Sequence, residues 1–290
     1  MNPLSRNKRR AYLLFFFIVF IICVPLFILY AKGYRFNFEE AFKISETGGL
    51  YINADQSGIS IYVNGEVVRK TSIVQKGIFV QSLKPGEYKV SASKDGFQTW
   101  NKIIRVFPEI VTEARSFSLK NEPILTEIPR NLNSNGLATS TVIKKNPEYD
   151  LINDLFMATT TQKSIKPISA TTSVDTKTIR NILVKNEDGK LHVFWTGEND
   201  AIPNYFCESD VCKSEIVING GSKVKSFDFF PGRDDLIIIR LENGIYVSEI
   251  DDRSPQNIQK IVLGLGYDFR VKDGSEIYLK EGAKIYSVSF

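Results

Sequence analysis

Ile59-Ser-Ile-Tyr-Val-Asn-Gly-Glu-Val-Val68 sets apolar residues at alternate positions, breaks at Asn64-Gly65, and resumes an apolar run beyond the break. Alternation with period two puts one set of side chains on one face of a sheet. Asn-Gly supplies two successive positions that accept positive φ, as the type I′ turn between twisted strands requires. The stretch therefore predicts a β-hairpin. The same pattern continues outward. Gly77-Ile-Phe-Val80 leads into Leu83-Lys-Pro-Gly86, whose Pro-Gly suits a tight turn. Glu87-Tyr-Lys-Val-Ser-Ala-Ser93 alternates, Lys94-Asp-Gly96 turns the chain, and Phe97–Phe107 and Val111–Leu119 supply the last strands. No part of residues 48–120 is long and periodic enough for an ordinary helix.

On these residues the segment 48–120 resembles a PEGA domain, a small β-sandwich module common on prokaryotic surface proteins. The motif is Leu83-x-Pro85-Gly86-x-Tyr88-x-Val90, followed by Gly96-Phe97 and a closing alternating strand to Leu119, with Ile61-Tyr-Val-Asn-Gly65 as its hairpin. The tetrapeptide that names the family is replaced by Gln56-Ser-Gly-Ile59, and its later Gly-x-Thr-Pro turn is blurred at Arg69-Lys-Thr-Ser72. The motifs are turns and core positions, so the resemblance implies a fold and a binding or spacer role without catalysis.

Upstream, residues 11–31 read AYLLFFFIVFIICVPLFILYA, without a charge. As a helix this stretch is roughly 31 Å long, the thickness of a bilayer's hydrocarbon core. Tyr12, Tyr30 and Tyr34 fall at the two interfaces, and Pro25 predicts a mild kink. Arg6, Lys8, Arg9 and Arg10 precede it without an acid, which predicts a cytoplasmic tail (1–10), a transmembrane helix (11–31) and an exported remainder. Lys32 and Arg35 on the far side weigh against that orientation without reversing it. A cleaved signal peptide is the main alternative, with Leu29-Tyr-Ala31 its best cleavage site. Lipidation at Cys23 is disfavoured by Ile21-Ile22 before it, and a soluble core helix by the lack of a polar face.

The formal charge of +4 has its source in that tail. The other residues carry as many bases as acids, so the exported part is neutral, which argues against nucleic acid as a partner. Composition is otherwise ordinary for a folded chain, at 43% hydrophobic and 24% charged over 290 residues.

Of three cysteines, Cys23 lies in the apolar helix. Cys207 and Cys212 bracket Glu208-Ser-Asp-Val211 between strand-like flanks, an arrangement that can set the thiols opposite each other in a hairpin. An oxidising compartment makes a disulfide the expectation. Two free thiols, or a metal pair needing further ligands, are the alternatives.

Downstream of a juxtamembrane segment (32–47) and the sandwich, residues 121–145 read as a polar linker with Pro123 and Pro129. Asn146-Pro147-Glu148 reads as a helix start, with the helix ending near Phe156. Residues 158–178, rich in Thr and Ser, predict a long loop or irregular strands. Phe227–Ile250 then lies without gaps on Tyr267–Phe290 at an offset of 40, with Asp228/Asp268, Phe229/Phe269, Ile237/Ile277, Ile245/Ile285 and Tyr246/Tyr286 identical. Asn181–Trp195 is a weaker copy. Each copy reads as three strands, the spacing of β-propeller blades. The copies resemble blades of TolB-like and WD-repeat-like propellers, which implies a propeller-like antiparallel β domain over 146–290. Residues 125–290 supply about four blades at most, so an incomplete ring or stacked sheets remain open.

Catalytic signals are sparse. His192, the only histidine, shares a strand face with Phe194. No HExxH, CxxC or P-loop is present, and no triad has local support. Asp234-Asp235 and Asp251-Asp252 read as solvated turns, and Trp100, Trp195, Phe229 and Phe230 read as core rather than ligand surface. No catalytic, metal or cofactor residue is nominated. The expectation is a mainly β, non-enzymatic envelope protein. One membrane helix carries a PEGA-like sandwich and a propeller-like domain, for spacing or for binding a protein, glycan or surface-layer material. An accessory or sensor subunit, or a hydrolase with its site on the distal domain, are the rivals.

Overall fold

The computed structural model describes residues 6–37, 43–132, 144–161, 175–208, 211–218 and 220–290. Helix α1 spans Arg6–Ala31 and contains Pro25. It starts before the uncharged stretch because Arg and Lys are good helix formers and prolong it. Its mean hydropathy reaches 3.1, and none of its residues is buried. A short hairpin follows, β1 (Tyr34–Asn37) against β2 (Lys43–Glu46).

Seven strands then form two facing sheets: β3 (Gly48–Ala54), β4 (Ser60–Val63), β5 (Glu66–Lys70), β6 (Gly77–Leu83), β7 (Gly86–Ser93), β8 (Trp100–Val106) and β9 (Val111–Ser116). One sheet has the order β6-β3-β9, the other β5-β4-β7-β8. The β4–β5 turn carries φ of 52° at Asn64 and 88° at Gly65, the geometry the Asn-Gly pair requires. Leu50, Ile52, Ile61, Val90, Trp100 and Ile104 close the core between the sheets. β8 alternates without exception, with Trp100, Lys102, Ile104 and Val106 inward. A lysine therefore occupies a core position.

The remaining chain forms three four-stranded antiparallel sheets. Sheet 1 holds β13 (Asp175–Ile179), β14 (Ile182–Glu187), β15 (Lys190–Trp195) and β18 (Glu215–Ile218). Sheet 2 holds β19 (Ser226–Phe229), β20 (Leu236–Leu241), β21 (Gly244–Glu249) and β22 (Ile258–Leu263). Sheet 3 holds β23 (Tyr267–Lys272), β24 (Glu276–Glu281) and β25 (Lys284–Ser289). Its fourth strand is β10 (Ile124–Ile128), which pairs with β25 from inside the segment read as a linker. Short pairs β11 (Asn131–Leu132) with β12 (Lys144–Lys145), and β16 (Cys207–Glu208) with β17 (Val211–Cys212), complete the strands.

The sequence repeat coincides with β19–β21 and β23–β25. Its apolar positions explain a layered stack. Ile237, Ile239 and Leu241 pack toward Val184, Val193 and Ile216 of sheet 1. The alternate residues Leu236 and Ile238 join a core with Phe269, Ile277 and Leu279 of sheet 3. β20 is thus apolar on both faces because its sheet is covered on both. The repeated aspartates join the layers. Asp228 and Asp268 each accept the N–H of the next residue at 2.9 Å, while Lys177 reaches Asp228 at 2.5 Å and Arg240 reaches Asp268 at 3.0 Å. Each cation comes from the preceding sheet.

Helix α2 (Pro147–Thr161) covers the outer face of sheet 3 through Tyr149, Ile152 and Phe156, which meet Ile128, Tyr278 and Ile285. Asn146 Oδ1 accepts the Glu148 N–H at 3.1 Å, the expected cap. The helix runs past Phe156, so residues 158–161 are helical rather than looped, and β13 gives residues 175–178 a regular strand. Cap, first-turn acids and docking of the apolar stripe carry the helix through poor helix formers at its end. The rest of that Thr/Ser stretch lies outside the described residues.

Three side-chain amides fasten the sandwich to the outer strand of sheet 2. Each imitates a peptide group. Gln98 donates to Lys260 O at 2.8 Å and accepts Lys260 N–H at 2.9 Å. Asn257 donates to Asn101 O at 2.7 Å and accepts Asn101 N–H at 3.0 Å. Gln259 donates to Phe117 O at 3.1 Å and accepts Leu119 N–H at 2.7 Å. The Gln259 pair satisfies backbone groups of Phe117 and Leu119 that would otherwise be buried unpaired, and the three pairs together fix the two units in one orientation.

Candidate functional site: a cleft between the two β units

Below the amide pairs the two units diverge into a cleft. Its larger hollow, about 400 Å³, has an apolar floor of Ile103, Phe107, Ile110 and Val111 from the sandwich. Its other wall is the connection between β15 and β18, which carries Asn204, Cys207, Glu208 and Lys213. A second hollow, about 250 Å³, adjoins it and shares Glu113, Asn204 and Arg253. An apolar floor with a polar rim is the usual make-up of a binding cleft.

The walls are held by specific contacts. Asn204 Nδ2 donates to Glu113 Oε2 at 2.8 Å, and Arg253 donates to the Glu113 carbonyl at 2.9 Å. Lys213 Nζ lies 2.7 Å from Asp252. Cys207 and Cys212 stand directly opposite in the β16–β17 pair and are bonded, with S–S 2.01 Å, so a covalent hairpin forms part of the wall.

Behind the second hollow lies a buried charge network. Lys102 is wholly enclosed, with Nζ 2.5 Å from Glu249 Oε1 and 2.9 Å from the Asp251 carbonyl. Trp100 Nε1 donates to Glu249 Oε2 at 2.8 Å, and the Asn257 backbone N–H to Oε1 at 2.6 Å. Arg253 holds Asp251 through Nη2 at 2.6 Å and Nε at 2.9 Å. Burial pushes the Glu249 carboxyl above its ordinary range against the pull of Lys102. Burial acts on Asp251 in the same direction, but the hydrogen bonds and charge of Arg253 and the charge of Lys102 outweigh it, so its carboxyl stays below the usual range. A second chain of ions joins Arg233 to Asp235 at 2.6 Å, Asp234 to Arg115 of the sandwich at 3.0 Å, and Asp234 to Arg180 of sheet 1 at 2.5 Å. Burial, aided by Asp235 and Asp234, pushes the Tyr205 phenol upward.

These contacts overturn the reading of the two acidic pairs as solvated turns. Asp235 and Asp251 are buried, at 4% and 7% exposure, because Arg233 and Arg253 two residues away fold back onto them and the sandwich covers both. Sequence reasoning missed Lys102 and Glu249 as well. The available signal was the inward register of Lys102 between Trp100 and Ile104.

The other candidates stay apart. Arg6, Lys8, Arg9 and Arg10 lie on the first turns of α1. Trp100 is in the sandwich core, Phe229 lies between sheets 1 and 2, Trp195 donates to Glu198 O, and Phe230 packs against Phe290 with tilted rings whose centroids are 5.4 Å apart. His192 Nδ1 meets Glu215 on the neighbouring strand. Among the described residues no group of three His, Cys, Asp or Glu side chains is placed to hold a metal.

Comparison with known proteins places a family on part of the chain. Residues 47–121 match the PEGA domain family. Curated proteins give no match. Among solved structures, one described as the AfRom2 CNH domain aligns at 12% identity and a TM-score of 0.26, covering 78% of this chain and 71% of that one. A likeness that weak assigns no fold to the C-terminal sheets.

Proposed function

We propose that this chain is a non-enzymatic cell-envelope protein. Helix α1 spans the membrane, its basic tail stays in the cytoplasm, and the PEGA domain and the three stacked sheets stand outside as one rigid body. The carrying observation is the order of parts: an uncovered apolar helix, then a PEGA domain, then sheets locked to that domain by three amide pairs. PEGA domains suggest surface or envelope settings, and the four basic residues that open helix α1, ahead of its uncharged stretch, favour a cytoplasmic N-terminus. The sheets act as an incomplete propeller-like stack. The cleft beside the disulfide hairpin is where a protein or glycan of the envelope binds, its balanced rim charges suiting a largely neutral polymer.

The test is topological. A thiol reagent that cannot cross membranes, applied to intact cells after mild reduction, labels Cys207 and Cys212 if this reading holds. Labelling that needs cell lysis overturns it. Purified full chain that hydrolyses peptide, glycan or ester substrates, and loses that activity on a single substitution, overturns the non-enzymatic part.

A further inference from the structure

The exported part of the chain is neutral overall, yet residues 67–86 hold Arg69, Lys70, Lys76 and Lys84 and no acid. This window covers β5 apart from its first residue, the exposed Glu66, together with the following turn and β6, the two strands that edge the sandwich on one side. The same edge is unusually apolar. Val67 is 61% exposed and Phe79 48%. Ile73 and Val74 are 86% and 96% exposed at the tip of a turn closed by Ser72 N–H to Gln75 O at 2.9 Å and Gln75 N–H to Ser72 Oγ at 3.0 Å. Two aliphatic side chains are thus held in water by a built turn, with cations on either side.

The edge begins where the helix ends. Phe79, Gln81 and Ser82 of β6 line one hollow with Tyr30, Ala31, Lys32 and Gly33. Thr47 N–H donates to Gly33 O at 3.1 Å, and a Cβ on Gly33 would meet that threonine's carbonyl at 2.8 Å, so glycine allows this close junction. β6 leads from the tip turn back to this junction. Membrane surfaces carrying anionic lipids attract Lys and Arg, and exposed aliphatic residues enter the acyl boundary.

Resting on the reading of α1 as a membrane span, we propose that the β5–β6 edge of the PEGA domain docks on anionic headgroups of the bilayer its own helix crosses, with Ile73 and Val74 inserted. The domain then lies along the membrane, held at two points, and turns the sheets and the cleft in a fixed direction.

The full chain carrying Cys23→Ser and Val74→Cys is labelled at the introduced thiol with an environment-sensitive dye and placed in nanodiscs containing brominated lipid. Phosphatidylglycerol is either present or absent. Native Cys23 labelled in otherwise unchanged chain, and Val217→Cys on sheet 1 in the Cys23→Ser chain, are the references. Bromine quenching of the dye at position 74 is expected in anionic discs and not in neutral ones. Combining Arg69→Gln, Lys70→Gln and Lys76→Gln should lower the docked-to-free ratio about a hundredfold, at about fivefold per cation. A quenched dye at Cys23 with the dye at position 74 no more quenched than that at 217 overturns the docking, and would turn the tip toward a protein partner instead. A dye at Cys23 that escapes quenching overturns the membrane span itself.

Discussion

Lys102 Nζ and Glu249 Oε1 approach to 2.5 Å across the junction between the PEGA domain and sheet 2, with side-chain exposures of 0% and 2%. A pair so enclosed gives little net stability when intact, but breaking it strands a charge. Lys102→Met should therefore destabilise the chain by about 3–5 kcal/mol in denaturant titration. The double variant Lys102→Met, Glu249→Leu should regain part of that loss. Additive losses would mean that the two do not interact.

Stability should depend on pH through Asp251. Its folded carboxyl lies below the ordinary value of 3.8, so its contribution is present above that value and is lost as pH falls through the folded one. Glu249 works in the opposite sense, since its folded carboxyl is raised and its charge costs stability at neutral pH. The melting-temperature gap between the natural chain and Asp251→Asn should be widest near neutrality and shrink below about pH 4. A gap that grows on acidification would contradict the assigned shift.

Mass spectrometry after alkylation tests the hairpin in the cleft wall. Without reductant only Cys23 should react, and with reductant all three cysteines. Replacing both Cys207 and Cys212 by serine should cost about 2 kcal/mol, because the closed loop is short.

Ile128 distinguishes a strand from a linker. It is 6% exposed and packs with Ile152 and Ile285. Ile128→Ala should cost about 2–5 kcal/mol, as in other cores. A linker residue would change stability by no more than about 0.5 kcal/mol.

What the sequence disclosed depended on the range of the interaction. The Asn64-Gly65 turn, the alternation of β7 and β8 and the apolar run of α1 are local, and each was legible. The repeat of 40 residues showed three strands of a sheet but not the fourth, because β10 joins β25 from far upstream and its Ile-Leu-Thr-Glu-Ile sequence lies between prolines. The buried charges were hidden for a related reason. Asp251 looks solvated until Lys102, in a distant strand, arrives beside it. An inward lysine in a clean alternation was the one local sign that a buried acid had to exist elsewhere.

The pairing of Ile124 with Ser289 sets an order on biogenesis. β10 leaves the ribosome long before β25, and until β25 follows, it presents an unpaired edge with Leu125 and Ile128 uncovered. Sheet 3 therefore cannot close before β25 is made, whatever the sandwich has already done. A chain halted before residue 284 would carry a finished PEGA domain beside an adhesive, unfinished end, a natural substrate for chaperone or protease.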